Sequence, residues 1–385
     1  MKVLHINTID TGGAAIAARR LHVLLLKKGI DSKILFLQRS GKSQIPESYY
    51  LQDAFGQFKF QQLIRLNKLL NRKRTFLKPE LYFNGPESLF DISKHPLFEW
   101  ADVVHLHWVV KMLDWKKVFS HKDKSFVWTL HDMNPFTGGE HYQTGYNGEF
   151  SNVSKKHIEI KKRALNNCKI KIVSPSQWLG DLARQSEVFG DKNVFVIRNP
   201  IDTTVFKPLN TNLHTSDSHS PKNILFVAEN PHDERKGFKL LLKALENMDP
   251  KEFRLSVLGN KKHVESVFPN AFFYDTIHNE EKLVEIYNQA DLFVIPSLED
   301  NLPNTVSESL LCGTPVVGLS IGGIKEMIDD GVDGFLAENV SELKSAIERS
   351  LHKHFERSQV AGLAQKKLDT DSIIQQYQVI YESFK

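Results

Sequence analysis

Cysteine is scarce. The two in 385 residues, Cys168 and Cys312, cannot build a disulfide framework, so the fold must rest on an apolar core. Long apolar runs are missing as well: stretches such as Leu292–Pro296 and Pro315–Leu319 fall far short of the ~20 residues that span a bilayer, leaving only peripheral membrane contact. The opening MKVLHINTID lacks a basic stretch followed by an apolar signal core, and a reducing cytoplasm is the expected setting. No GxGxxG follows the first apolar run, and no acidic residue ends a second strand where a ribose would need one, which argues against a dinucleotide cofactor. The one Asp-x-Asp, Asp369-Thr370-Asp371, lies in a polar stretch leading into the last helix, a poor place for a metal-diphosphate complex. Neither a metal nor a cofactor is expected.

What is present fits a folded protein of two or three domains at about 150 residues each. Hydrophobic residues make up 41% and charged residues 25%, ordinary proportions for a globular chain. The net charge of +4 hides a division near Pro200. Residues 1–200 hold 31 Lys+Arg against 18 Asp+Glu, a net +13, and residues 201–385 hold 19 against 28, a net −9. A basic half can attract phosphate groups or an anionic lipid surface, while an acidic half argues against a nucleic-acid partner.

Both halves alternate short β-branched runs with segments of helical period, the pattern of parallel sheets covered by helices. The strands expected in the first half are Val3–Asn7, Lys33–Leu37, Val103–Leu106, Ser125–Leu130, Ile170–Ser174 and Val194–Ile197. Those in the second are Asn223–Ala228, Arg254–Leu258, Ala271–Tyr274, Leu292–Ile295, Pro315–Gly318 and Gly334–Ala337. The polar stretch Leu209–Lys222 has no apolar period and reads as a surface linker. The expected architecture is thus α/β, two doubly wound parallel-sheet domains facing across a cleft, with ligands at the carboxyl ends of the strands. In Phe55–Lys78, Phe58, Leu63, Ile64, Leu66, Leu69 and Leu70 interleave with Lys59, Arg65, Lys68, Arg72, Lys73 and Arg74, a basic amphipathic helix that either packs on its own domain or also touches anionic lipid.

Four stretches could carry chemistry. The first strand runs into Asp10-Thr11-Gly12-Gly13-Ala14-Ala15 and a helix, where small residues and helix amides can approach an anion. His131 ends the apolar strand Phe126–Leu130, with His105, His107 and His141 nearby; a metal there is disfavoured by the lack of cysteines. Arg235 and Lys236 precede the helix Phe238–Met248, where cations oppose the helix dipole and so need another reason, such as a bound diphosphate. After Pro296 come Asp300, then Asn301-Leu302-Pro303-Asn304-Thr305 and Glu308, with Pro303 suited to the first turn of a helix that stops at Gly313. A carboxylate, a nest of amides and a second carboxylate in that order suit a sugar hydroxyl, a phosphate and a ribose diol. A capped helix with ordinary surface acids has the same spacing.

Taken together, these stretches resemble the retaining glycosyltransferases of family 4, which have the GT-B fold. The similarity adds Ser174-Pro175-Ser176, Asn199-Pro200-Ile201-Asp202, Gly322-Gly323-Ile324-Lys325-Glu326 and Asp333-Gly334-Phe335 and covers nearly the whole chain. His105-Leu106-His107-Trp108 and Thr129-Leu130-His131-Asp132-Met133 resemble the branch that builds bacterial surface polysaccharides. The resemblance implies an acceptor-binding domain over 1–200, joined by a returning helix near 371–385, and a nucleotide-sugar domain over 201–370. It implies that Glu308 holds the ribose, that the backbone of Asn301 to Thr305 meets the diphosphate and donor sugar, and that Asp300 contacts that sugar. Lys236, helped by Arg235, then stabilises the departing phosphate, His131 lies by the donor sugar, Gly12 and Gly13 border phosphate and acceptor, and the base stacks near Thr276 and Ile277. The donor would be a UDP- or GDP-linked hexose used as co-substrate, and the acceptor a glycan, lipid-linked, at the inner face of the plasma membrane.

Three departures from the family pattern stand out. Asp300, beside Glu299, occupies the place of the first glutamate of the usual Glu-x7-Glu pair; Ala228-Glu229 replaces the usual Gly-Arg; and Glu140 stands where relatives often carry a cysteine. Asp300 and Glu229 keep open a non-catalytic nucleotide-sugar-binding scaffold, and a GT-B isomerase, which would use the same cleft without a glycan acceptor, is the other alternative.

Overall fold

The computed structural model describes residues 1–40, 45–72, 82–144, 151–209, 220–246, 248–260, 271–277 and 279–385. Residues 73–78 of the basic amphipathic segment and 210–219 of the expected linker lie outside the described residues. The chain divides into two compact units, Met1–Pro200 with Asp371–Lys385, and Ile201–Thr370.

The first unit contains β1 (Lys2–Asn7), α1 (Gly13–Lys27), β2 (Asp31–Phe36), β3 (Ser48–Tyr50), α2 (Gln57–Arg72), α3 (Pro96–Trp100), β4 (Val103–Leu106), α4 (Trp115–Val118), β5 (Ser125–Thr129), α5 (Ser151–Leu165), β6 (Lys169–Ser174), α6 (Gln177–Gln185) and β7 (Val194–Val196). Its seven strands are all parallel, in the order β3-β2-β1-β4-β5-β6-β7. β4 and β5 are buried along their whole length, as expected for strands covered on both faces. Among the described residues, the three-residue β3 is the one strand that the sequence pattern does not reveal. It lies at the sheet edge beside β2 and is too short to establish a period of two.

The second unit contains β8 (Lys222–Val227), α7 (Phe238–Leu245), β9 (Phe253–Leu258), β10 (Ala271–Tyr274), α8 (Glu280–Gln289), β11 (Leu292–Ile295), α9 (Asn304–Leu311), β12 (Val316–Leu319), β13 (Gly334–Ala337), α10 (Leu343–His352) and α11 (Arg357–Lys367). Its six parallel strands run β10-β9-β8-β11-β12-β13. The last helix, α12 (Thr370–Glu382), packs Ile373, Ile374, Tyr377, Ile380 and Tyr381 with Val3, Leu21, Val103 and Val127 of the first unit.

In each sheet the strand order reverses once, between β1 and β4 in the first unit and between β8 and β11 in the second. Loops leaving the carboxyl ends of strands that flank such a reversal form the natural crevice of a doubly wound sheet. Gly12 and Gly13 follow β1, His107 follows β4, Arg235 and Lys236 follow β8, and Asp300 follows β11.

Candidate active site

At the reversal in the second unit, the loop after β8 packs tightly on the loop after β11. Gly237 makes this possible: its φ is 70°, and a Cβ there would fall 1.9 Å from the Pro296 carbonyl oxygen. The Leu298 amide donates to the Arg235 carbonyl at 2.7 Å, and the Arg235 guanidinium donates to the Glu299 carbonyl at 2.8 Å and to Asp233 at 3.1 Å. Lys236 Nζ reaches Asp300 Oδ2 at 2.5 Å, and Arg235 Nη1 lies 3.7 Å from the same oxygen. Asp300 is buried, which pushes its carboxyl upward, but the two cations and the Lys236 and Asn301 hydrogen bonds outweigh burial and hold it below the usual carboxylate range. Part of the reason for two cations ahead of a helix is therefore an internal carboxylate.

Downstream, α9 begins at Asn304 with no side-chain cap, and Pro303 occupies the cap position instead of the first turn. Its φ of −65° suits either place, so the expectation is corrected by one residue. Glu308 is buried on α9, where its Oε2 accepts a hydrogen bond from the Tyr287 hydroxyl at 2.9 Å. Asn301 and Leu302 are buried, whereas Asn304 and Thr305 are half-buried at the helix start. Thr276 is exposed just after β10, and Ile277 packs against the core cluster that holds Leu302 and Val306. Arg235, Lys236, Asp300 and Asn301 thus converge directly, while Thr276 and Ile277 share only that core with the start of α9.

At the reversal in the first unit, Gly12 caps α1 with a φ of 84°, and Gly13 is exposed. The ends of β1 and β4 are laced together: Thr8 N donates to the Trp108 carbonyl and Trp108 N to Asn7 Oδ1, both at 2.8 Å. His131 Nε2 lies 3.2 Å from His107 Nδ1, and His107 Nε2 lies 3.0 Å from His5 Nδ1. His105 is spent elsewhere, on the Tyr381 hydroxyl at 2.7 Å and the Thr129 hydroxyl at 2.8 Å. Burial, the largest cause, and the neighbouring imidazoles push His5 and His107 well below the ordinary histidine value. Burial takes His131 down to about 4.

His141 does not join that group. Its Nδ1 meets Asp132 Oδ2 at 2.6 Å and its Nε2 meets Asn84 Oδ1 at 2.9 Å, while Asp132 also accepts from Trp108 Nε1 and Asn134 N at 2.9 Å. Burial raises the Asp132 carboxyl, but His141 and the hydrogen bonds more than offset it and keep it low. His131, Asp132, Trp108 and Asn134 line one small pocket of the first unit.

Two residues at this end escape sequence reasoning. His5 stands beside His105 because β1 and β4 pair in register, a fact that needs the strand order. Together with His107 it forms a cluster whose ligating atoms all lie within 4.8 Å of one another. Lys161 is fully buried, donates to the Asn134 and Thr137 carbonyls and so pins the loop after His131; burial drops its ammonium to about 7. Its signal is weak but present, since Ser154, His157, Lys161 and Leu165 fall on one helical stripe of α5.

Two parallel-sheet units, each with its polar side chains gathered where the strand order reverses, define the GT-B class of fold. The family model described as Glycosyltransferase Family 4 matches residues 11–205, just over half of the chain, and that described as Glycosyl transferases group 1 matches residues 221–353. The chain belongs to glycosyltransferase family 4 and is a glycosyltransferase.

Among curated relatives, an uncharacterised 41.2 kDa protein in the cps region of Klebsiella pneumoniae is 26% identical over 42% of this chain and 46% of its own length. The chain thus spans less than half of that relative. The putative colanic acid biosynthesis glycosyl transferase WcaC of Escherichia coli is 24% identical over 85% of both chains. Among solved structures, sucrose-phosphate synthase from Thermosynechococcus elongatus superposes with a TM-score of 0.70 at 15% identity over 100% of this chain and 99% of its own. HepE from Anabaena, solved in complex with UDP-glucose, does so with a TM-score of 0.67 at 15% identity over 100% of both chains. At these identities the structures speak for the fold.

Proposed function

We propose that this enzyme transfers a hexosyl group from a UDP- or GDP-linked sugar to a lipid-linked glycan during surface-polysaccharide assembly, with retention of configuration and without a metal ion. The observation that carries the reading is the convergence of Lys236 and Arg235 on Asp300 beside the start of α9. A leaving diphosphate needs cations and helix amides, and both are gathered there. Glu308, which accepts a hydrogen bond from Tyr287, is assigned to the ribose diol. The relation to WcaC supports a polysaccharide product, and the fold shared with HepE supports a nucleotide-sugar donor.

In the proposed step the bond from the anomeric carbon to the diphosphate oxygen breaks, the bond to the acceptor oxygen forms on the same face, and the acceptor proton passes to the departing phosphate. No side-chain nucleophile is needed. Lys236 and Arg235 stabilise the developing charge, Asp300 and the backbone of Asn301, Leu302, Pro303, Asn304 and Thr305 hold the donor, and Thr276 and Ile277 flank the base. His131 is assigned to the donor sugar, and Gly12 and Gly13 to the phosphate and acceptor.

A place on the cytoplasmic face of an anionic membrane fits α2. Phe60 is buried and Leu63 and Ile64 are half-buried against the first unit, while Phe58, Leu66 and Leu69 are exposed beside exposed Lys59, Arg65 and Lys68. No helix among the described residues is long and apolar enough to cross a membrane.

Thermal shift with a panel of nucleoside diphosphates and their sugars tests the donor site, because a ligand bound only by the folded state raises the melting temperature. One base should stabilise the wild type and not Glu308→Ala; no shift with any nucleotide sinks the reading. Phe58→Ser with Leu69→Ser should weaken sedimentation with anionic vesicles at low salt, and an unchanged bound fraction removes the membrane part.

A further inference from the structure

A line of three imidazoles runs inward from the end of β5, from His131 through His107 to His5, joined by hydrogen bonds of 3.2 and 3.0 Å. At its inner end His5 Nε2 is buried and has no partner among the described residues. At its outer end His131 is half-buried, lines the small pocket with Trp108, Asp132 and Asn134, and has no partner for Nδ1 among the described residues.

A neutral imidazole carries a single N–H, so two hydrogen bonds in series leave only two proton arrangements. With the protons pointing outward, His5 Nδ1 donates to His107 Nε2, His107 Nδ1 donates to His131 Nε2, and His131 is left with its proton on Nδ1. With the protons pointing inward, each bond reverses and His5 Nε2 carries an N–H buried with nothing to accept it. An orphaned buried N–H is rarer and costlier than an under-used acceptor lone pair, so the outward arrangement wins. A charged member would need its ion buried beside two other imidazoles, against the downward push that burial exerts on all three.

We propose that His107 and His5 are positioning residues that lock His131 in the tautomer with its proton on Nδ1, so that His131 meets the bound sugar or phosphate as a hydrogen-bond donor and not as a base. The ligand contact rests on the donor-site reading above; the tautomer rests on the geometry alone. The titratable groups packed around the line do not break it. His105 is held by Tyr381 and Thr129, His22 by Ser32 and the Pro46 carbonyl, and Asp132 by Trp108, His141 and the Asn134 amide. The nitrogens that a metal at His5, His105 and His107 would use are, apart from His5 Nε2, already spent on these bonds.

Long-range 15N–1H spectra of the full chain, labelled on histidine, test the lock at neutral pH without donor. His5, His107 and His131 should each carry the proton on Nδ1, and His107→Phe should turn the His131 signals into a mixture of tautomers while His107→Asn, whose amide can still donate from the place of Nδ1, should not. His131 protonated on Nε2 in the wild type, a doubly protonated His107, or displacement of all three signals by added zinc overturns the proposal. Turnover is then followed with UDP-glucose, or GDP-mannose where guanine is preferred. His107→Phe should lower kcat by roughly tenfold to a hundredfold with KM nearly unchanged, and His107→Asn should recover most of it. Equal kcat in wild type and both variants overturns the role in turnover. Correct tautomers with no turnover on either donor leave the lock standing and sink the functional reading instead.

Discussion

In the first unit, His5, His22, His105 and His107 are buried on partners that are other imidazoles, hydroxyls and one backbone carbonyl. In the second, Asp300 is buried against Lys236 and Arg235, and Asp333 against Lys367. These two sets of polar groups are thus kept dry in opposite ways, the four histidines as neutral rings and the two aspartates as members of ion pairs, although Asp132 of the first unit, held low beside His141, follows the second pattern. A buried neutral imidazole is penalised once it takes up a proton, whereas a buried pair is penalised once it loses a partner. The first arrangement is sensitive to acid, the second to substitution.

Acidification sharpens this difference most. Unfolded histidines take up protons near pH 6.5, while His5, His105 and His107 resist to well below it. The stability that rests on their neutral burial is therefore fully present above that pH and is lost as pH falls. Three such groups should together weaken the first unit as pH falls below 6.5. The Asp300 pair loses its contribution only below the ordinary carboxylate value of 3.8 and should be silent over the same range. All five tryptophans, Trp100, Trp108, Trp115, Trp128 and Trp178, lie in the first unit, so their emission reports that unit alone. The urea midpoint read by tryptophan emission should fall between pH 7.5 and 5.5; a flat midpoint breaks the contrast.

Substitution at the ion pair comes next. Lys236→Ala leaves Asp300 with Arg235 3.7 Å away and removes a cation from the proposed leaving group. The expected loss in kcat is roughly 10²–10³-fold with little change in KM, measured by nucleotide release from the donor that the stability panel selects. A loss below tenfold removes Lys236 from the reacting centre.

The elements of both sheets were readable because strands covered on both faces are nearly continuous apolar runs, as in Phe126-Val127-Trp128 and Leu292-Phe293-Val294-Ile295. The residues of the second site were readable as a local string from Asp300 to Glu308. Its partnerships were not, since Lys236 and Asp300 stand 64 positions apart and meet only because β8 and β11 are neighbours. Proximity in sequence misled at His141, which serves Asp132 nine residues away in place of the other histidines. Lys161 sits in a strongly basic helix whose other lysines, Lys155, Lys156 and Lys162, are exposed or half-exposed, and nothing in composition marks the one that turns inward.

A smaller effect tests how Glu308 is held. Tyr287→Phe deletes one buried hydrogen bond to the carboxylate and keeps the ring that packs on Phe293. Nucleoside diphosphate binding should weaken by roughly fivefold, in keeping with about 1 kcal/mol for such a bond, as read by calorimetry. Unchanged affinity means that Glu308 is oriented without Tyr287 or does not touch the nucleotide.

The smallest stability change is expected at Gly13, and its contrast with Gly237 explains why. A Cβ at Gly237 strikes the Pro296 carbonyl and requires a left-handed backbone, so that glycine is needed by the fold. Gly13 lies at the start of α1 outside the left-handed region, is exposed, and a Cβ there meets nothing within 4 Å. The fold has no use for a glycine at that position, and alanine favours the helix, so Gly13→Ala should shift stability by no more than about 0.5 kcal/mol. A ligand that approaches the backbone closely would supply a reason for glycine there. If Gly13 borders the substrate, the added methyl raises KM while the melting temperature stays put; if KM is also unmoved, the start of α1 is not part of the site.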